Sequence, residues 1–200
     1  MNPIAATQHR RRRPTPPRRG ERLRAGLALA ALVATGLALS ACGTVEAAAP
    51  SCPDAMRLAL VAQSVPTASY LPCLHRLPDG WQVTQVDIAS GHTILALLSD
   101  RAEGRAVVVT LLPSCDAASA TAEAPRADGI RTSVYLNSIS DRYAGTMYDV
   151  FPGGCITYRF DFARGPHIAL MEELNDTAGL LARRELRLDL RRQFGVELDP

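Results

Sequence analysis

The sequence predicts an α+β domain, in which an antiparallel sheet of about five or six strands carries an N-terminal helix and C-terminal helices on one face. Three observations lead to this fold class. An apolar, helix-like segment comes first, several short β-branched and aromatic runs separated by turn residues follow, and the chain returns to a helical period from Ile168 onward. Strands grouped between helices, rather than alternating with them, favour an antiparallel sheet.

The first 41 residues have the organisation of a secretory signal. Residues 1–24 are rich in proline and arginine, and the apolar segment Ala25–Leu39 follows them directly. A basic region, an apolar region and small residues at a cleavage site, in this order, are typical of a signal peptide. An arginine run elsewhere would suggest nucleic-acid binding, but here the positive flank is expected to stay on the cytoplasmic side. Nucleic acid is therefore not expected as a partner.

The apolar segment ends in a lipobox-like sequence, Leu39-Ser40-Ala41-Cys42. It predicts that a diacylglyceryl group is attached to Cys42 and that the chain is cleaved before this residue. The alternative is an uncleaved single span, because the 18 residues Ala25–Cys42 are at the lower limit for crossing a bilayer. Both interpretations predict a membrane-anchored domain on the extracytoplasmic side, and the lipobox favours a lipid anchor.

Removal of residues 1–41 changes the charge of the chain. The tether is expected at 42–50 and a single domain at 51–200, which is large enough for one core. All 22 basic residues are arginine, and the mature part keeps 14 of them against 19 acidic residues, a net charge of −5. The basic character of the whole sequence therefore belongs to the signal and indicates nothing about partners.

Four cysteines remain after Cys42, and an even number in an exported chain predicts two disulfides. Their separations of 21, 42 and 40 residues do not resemble the close pairs of a zinc site. Of three possible pairings we expect Cys52–Cys73 and Cys115–Cys155. The segment after the first helix is long enough to return to the helix start, and the other two cysteines follow and begin strands near the sheet edges.

The first helix and the segment after it are predicted from local signals. Ser51 is expected to cap a helix whose first turn holds Pro53 and whose body is the apolar run Met56–Val65. Residues 69–77 are expected to form a loop that contains Cys73, and a tight turn follows at 78–80.

The strands are predicted from runs of β-forming residues between turns. They are Trp81–Ala89 with a bulge near Thr84, Thr93–Leu98, the covered central strand Arg105–Leu112, Ile130–Ile139, and the hairpin Gly145–Phe151 with Cys155–Phe162; residues 117–128 are expected to be a flexible loop.

The hairpin carries the one polar cluster that could bind a ligand. A three-residue loop, Pro152-Gly153-Gly154, would pair Phe151 with Cys155 and Asp149 with Thr157. In that register the outer face would hold a possible polar binding face made of Asp149, Thr157, Arg159 and Asp161. Cross-strand charge pairing on a solvated face is the simpler explanation of the same pattern.

The C-terminal segment is predicted to be helical. Leu186, Leu190 and Phe194 recur at four-residue spacing among arginines, and Gly195 is expected to end the helix. Such an arginine-rich helix could lie on anionic lipid. Packing on the sheet with solvated arginines is the favoured interpretation.

The sequence contains no recognised catalytic, nucleotide or metal motif, and its histidines are isolated, so no cofactor is expected. Three segments, Leu60–Pro66, Leu98–Ala102 and Phe151–Phe160, resemble a recurring group of uncharacterised actinobacterial envelope proteins. The resemblance covers most of the mature domain and implies location and fold class, but no activity or ligand.

The first functional hypothesis is an envelope-tethered binding or accessory domain whose partner is another envelope protein or a cell-wall component. The alternative is a tethered hydrolase of cell wall or lipid. A cleft with converging carboxylates would favour the hydrolase, an acyl-lined cavity a lipid carrier, and a closed core a partner-binding surface.

Overall fold

A large antiparallel sheet dominates the domain and confirms the α+β class. The computed structural model describes residues 49–102, 105–163 and 165–198. In chain order the elements are α1 (Ala55–Ser64), β1 (Tyr70–Leu74), β2 (Trp81–Ala89), β3 (His92–Ser99), β4 (Arg105–Leu112), β5 (Thr121–Ala122), β6 (Arg131–Ser138), β7 (Tyr143–Phe151), β8 (Gly154–Phe162), α2 (His167–Thr177), β9 (Ala178–Ala182) and α3 (Arg183–Phe194). Seven strands form one sheet in the order β2-β3-β4-β8-β7-β6-β5, and β1 pairs with β9 in a second, two-stranded sheet. The strand count exceeds the predicted five or six.

The two faces of the large sheet differ in what covers them. Cross-strand partners share a face, so Val107 with Phe160 and Val109 with Tyr158 belong to the inner face. The inner-face side chains form one core cluster with buried residues of all three helices, including Leu58, Leu170, Leu174, Leu186 and Leu190. The helices therefore lie on the inner face, as predicted. Burial of each such leucine contributes about 1.5–3 kcal/mol.

Several predicted strands agree closely with the structure. The bounds of β2 and β4 are those expected, and the pairing of β2 with β3 shifts between Val83 and Gln85, which confirms the bulge near Thr84. The segment 117–128 is not all loop, because Thr121–Ala122 pairs with β6.

The cap of α1 is not the predicted one. The carboxylate of Asp54 accepts a hydrogen bond from the Arg57 amide at 3.1 Å, so Asp54 is the N-cap. Ser51 instead forms an isolated bridge with Leu74.

Two short strands were not predicted. β1 lies where a loop was expected, and β9 interrupts the predicted C-terminal helical region. The two strands pair antiparallel, with Pro72 opposite Leu180. β1 contains a proline, and β9 consists mainly of alanine and leucine, which favour helix. Local propensity therefore opposes both strands, and their tertiary pairing prevails.

The register of the β7–β8 hairpin also differs from the prediction. Phe151 pairs with Gly154 and Val150 with Cys155, so the loop has two residues, Pro152 and Gly153. Gly153 adopts a φ of 78°, which a type II turn with proline at its first central position requires at its second. The predicted pairing was wrong by one residue, and such a slip moves side chains to the opposite face.

Helix α3 begins and ends with identifiable contacts. The Arg183 guanidinium donates to the carbonyl oxygens of Ala68 at 2.9 Å and Val65 at 3.1 Å, which attaches the helix start to the end of α1. Gly195 ends the helix in the left-handed conformation, as predicted. Leu186 and Leu190 are buried, but Phe194 is half exposed, so the predicted apolar stripe stops one turn early.

Candidate functional site: a groove above a buried ion pair

A groove of about 570 Å³ opens where the helical layer ends above β6 and β7. Helix α2 forms one wall with Met171 and Asn175, which are four residues apart and so share one helix face. The remaining lining residues come from the loop after β5 and from the two strands: Glu123, Ala124, Arg126, Thr132, Val134, Tyr143 and Met147. The groove therefore combines thioether and aromatic surface with a few polar groups, as many binding sites do.

An ion pair lies at the base of this groove. Asp149 is fully buried, and its Oδ2 accepts a hydrogen bond from Arg126 Nη1 at 3.0 Å. Its Oδ1 accepts from the Thr132 hydroxyl at 2.7 Å. The second guanidinium nitrogen of Arg126 donates to the Ala178 carbonyl oxygen at 2.6 Å, which links the loop to β9. Both charges are thus paired, which a buried carboxylate requires.

Tyr158 lies beneath the guanidinium. The carbon at the centre of the Arg126 guanidinium is 5.0 Å from the centroid of the Tyr158 ring, within cation–π range. The Tyr158 hydroxyl is buried and makes no hydrogen bond to any described residue, as is also true of the Thr177 hydroxyl. Burial raises the pKa of Tyr158 well above its ordinary value, so this hydroxyl stays protonated at physiological pH.

The groove lining is of mixed polarity. Glu123 is the one carboxylate among the described lining residues, and Asp149 below is bound by Arg126 and Thr132. The described lining is therefore neither a cleft with converging carboxylates nor a wholly apolar cavity. Tyr143 closes one end and stacks on His167 with ring centroids 5.7 Å apart.

The predicted polar face divides between the two sides of the sheet. In the observed register Asp149 is opposite Ile156 on the inner face, whereas Thr157, Arg159 and Asp161 lie on the outer face. Asp149 is therefore not part of a common face with these three residues. The turn has two residues and not the predicted three, and this one-residue difference is why Asp149 lies on the inner face.

Two of the three outer-face residues line a second, smaller groove of about 450 Å³. Arg159 and Asp161 contribute to it together with Val108, Asn137, Ala144, Gly145 and Phe160. The Asp161 carboxylate is paired with Arg142, and both side chains are about half exposed. Arg142 precedes β7, so this pair joins the turn between β6 and β7 to β8 rather than two opposite strand residues.

The four cysteines of the domain come together in the expected pairs. The Cα atoms of Cys52 and Cys73 are 4.9 Å apart and those of Cys115 and Cys155 are 6.1 Å apart, both disulfide distances. We call these the N-terminal pair and the sheet pair. Cys155 lies on the outer face beside Val150, away from the main core.

The N-terminal pair has two close neighbours, His75 directly after β1 and Gly179 in β9. His75 Nε2 is 3.9 Å from the Cys52 sulfur. A Cβ at Gly179 would come within 3.0 Å of both sulfur atoms and the His75 ring, so glycine is required for β9 to pass this pair.

Cys42 and the predicted signal lie outside the described residues. Within residues 49–102, 105–163 and 165–198, none of the helices has the length and apolarity to cross a membrane. No group of three or more histidine, cysteine, aspartate or glutamate residues is placed to hold a metal ion in the same part of the chain.

Comparison of the chain with protein-family models, with curated proteins and with solved structures gives no significant match.

Proposed function

We propose that this chain is a membrane-tethered extracytoplasmic binding domain of a bacterial envelope. The observation that carries the proposal is the lipobox-like Leu39–Cys42 at the end of the apolar segment. Two cysteine pairs at disulfide distance support it, because such bonds persist in oxidising compartments outside the cytoplasm. Two acyl chains on Cys42 would provide stable anchoring, whereas one chain is marginal.

The groove above the Arg126–Asp149 pair is the proposed binding site. Its floor is rigid, because the guanidinium is held by Asp149, Ala178 and the Tyr158 ring at once. Its rim offers the Asn175 amide and the Glu123 carboxylate for hydrogen bonds, and Met147 and Met171 for apolar contact. A rigid base with adaptable methionines suits a ligand that carries a polar group next to an apolar one. A peptide or sugar portion of an envelope component is such a ligand.

The anchor is tested by mass spectrometry of the protein purified from membranes. We expect a chain that begins at Cys42 and carries a diacylglyceryl group. Cys42→Ala should yield an uncleaved, still membrane-bound precursor, and Thr44→Ala, as a nearby control, should be processed normally. A wild-type protein that keeps its original N-terminus would contradict the lipid anchor and favour the uncleaved span.

The site is tested by photo-crosslinking in intact cells. A photoreactive residue at position 175 in the groove should capture one defined envelope component, and the same residue at the exposed Gln82 on the outer face should not. Equal capture from both positions would contradict a site in the groove.

A further inference from the structure

We propose that the outward face of helix α3 docks on the anionic lipid surface beside the anchor. This inference rests on the proposed function, because it assumes that the domain is tethered to a bilayer. It adds to that function an orientation of the domain on the membrane and a second, reversible contact with lipid.

The outward face of α3 is both basic and apolar. Leu186 and Leu190 are buried on the inward side. Leu188 lies on the opposite side of the helix and is 56% exposed. Exposed arginines flank it: Arg184, Arg187, Arg191 and Arg192. An exposed, arginine-rich helix face of this kind attracts anionic lipid headgroups.

The charge of α3 is opposite to that of the domain. Residues 183–194 contain five arginines and two acidic residues, whereas the mature chain carries a net charge of −5. The exposed pairs Arg191–Glu197 and Arg192–Asp189 occupy two of the arginines. Such solvated pairs contribute little stability and can exchange for lipid phosphates. The positive surface is therefore local, and an anionic bilayer is the partner it fits.

The described chain begins beside the helices. It starts at Ala49, whose carbonyl oxygen accepts a hydrogen bond from Arg57 of α1 at 3.2 Å. Six residues lie between Cys42 and Ala49, so the covalent distance is seven Cα–Cα steps, at most about 25 Å. Helix α3 is bonded to the end of α1 through Arg183. Ala49 and α3 are thus both hydrogen-bonded to α1 or its end.

The experiment uses the full chain, purified from membranes and reconstituted into vesicles of phosphatidylcholine alone or mixed with phosphatidylglycerol. Leu188→Trp places an indole on the proposed docking face, and brominated acyl chains quench an indole that enters the bilayer. Wild-type protein supplies the background, since its single tryptophan, Trp81, is buried. We expect quenching in the anionic vesicles, little in the neutral ones, and a decrease as salt is added.

Two controls define the surface. Tyr135→Trp places an indole on the outer face of the sheet and should not be quenched. In the Leu188→Trp background, replacing Arg184 and Arg187 by glutamine should weaken docking about fivefold per arginine, as expected for basic residues near an anionic surface. The same replacement at Arg131 and Arg159, exposed on the outer face, changes the net charge equally and should have no effect. Thermal melts confirm that each variant is folded.

The outcomes separate the docking from the anchor. Flotation with the vesicles and the mass of the protein report the anchor, and quenching reports the docking. A protein that floats without quenching in anionic vesicles overturns the docking, leaves the anchor in place and indicates a protein partner for this face. Equal loss with the Arg131/Arg159 control also overturns it. A protein that does not float overturns both.

Discussion

Replacement of Asp149 by alanine should destabilise the domain more than any loss of a surface ion pair. Asp149 is fully buried, and its partner Arg126 is only 17% exposed. The substitution leaves the guanidinium beside a cavity and removes the acceptor of the Thr132 hydroxyl. Breaking a buried ion pair from one side costs about 3–5 kcal/mol, because the remaining charge stays uncompensated. For a domain of this size that corresponds to a decrease in Tm of about 6–20 °C.

The same hairpin provides a matched control. Asp161 on β8 pairs with Arg142, and the two side chains are 44% and 54% exposed. Asp161→Ala makes the same chemical change at a solvated site, where an ion pair contributes about 0–1 kcal/mol. Urea unfolding followed by the fluorescence of Trp81, the one tryptophan of the chain, measures both free energies of unfolding.

The double variant tests the mechanism of the loss. Replacing Asp149 by leucine and Arg126 by methionine removes both charges, so the combined cost should be smaller than that of Asp149→Ala alone. A cost for Asp149→Ala no larger than that for Asp161→Ala would refute the reasoning. A double variant less stable than Asp149→Ala would show that packing, rather than the uncompensated charge, sets the cost.

Three further predictions concern stability. Gly153→Ala should lower the free energy of unfolding by about 3 kcal/mol or more, since a Cβ there would lie 1.8 Å from the Thr67 carbonyl oxygen. Gly129→Ala is the control: its φ of 75° is similar but the space around it is open, so the loss should be only about 1–2 kcal/mol. Equal losses in urea unfolding would contradict the steric argument. The hydrogen bond from Arg101 holds the pKa of Glu173 below its ordinary value. The ionised Glu173 therefore stabilises the folded domain above about pH 4.3, the pKa of glutamate in the unfolded chain, and this stabilisation is lost as the pH falls through the lower pKa of the folded state. Glu173→Gln should weaken the decrease of the urea midpoint at acid pH. Replacing both cysteines of the sheet pair by alanine should lower the free energy of unfolding by about 4 kcal/mol, and the same change in the N-terminal pair by about 3 kcal/mol, because the sheet pair closes the longer loop. A reversed order in thermal melts would contradict the chain-entropy argument.

The strands of the large sheet were predictable because side-chain alternation and turn residues agree. The sequence around β8 alternates between apolar and polar residues, and its apolar set is the inner face of the structure. The pairing of β1 with β9 was not predictable in this way. Its partners are more than one hundred residues apart, and neither sequence favours a strand, so the pairing depends on the assembled core.

The candidate site was hidden by two local features. Arg126 lies in a segment whose small and polar composition resembles a solvated loop, and nothing in the sequence near it indicates a buried partner. Asp149 was assigned to the wrong face because Pro152-Gly153-Gly154 fits a loop of two or three residues equally well. A signal was available in the sequence: in β7 Asp149 keeps the same alternation phase as Met147 and Phe151, which are buried.

The segment between α1 and β1 joins the parts of the domain that the two proposals involve. The Thr67 hydroxyl donates to the Gly153 carbonyl oxygen at 2.6 Å, and the Ser69 amide donates to the Pro152 carbonyl oxygen at 3.2 Å. Arg183, the first residue of α3, bonds to this same segment through its amide and its guanidinium. The turn of the β7–β8 hairpin, which carries Asp149, and the start of the proposed docking helix are thus fixed to one backbone segment. Docking of α3 on lipid would therefore also set the direction in which the groove faces, since neither element can rotate without breaking these hydrogen bonds.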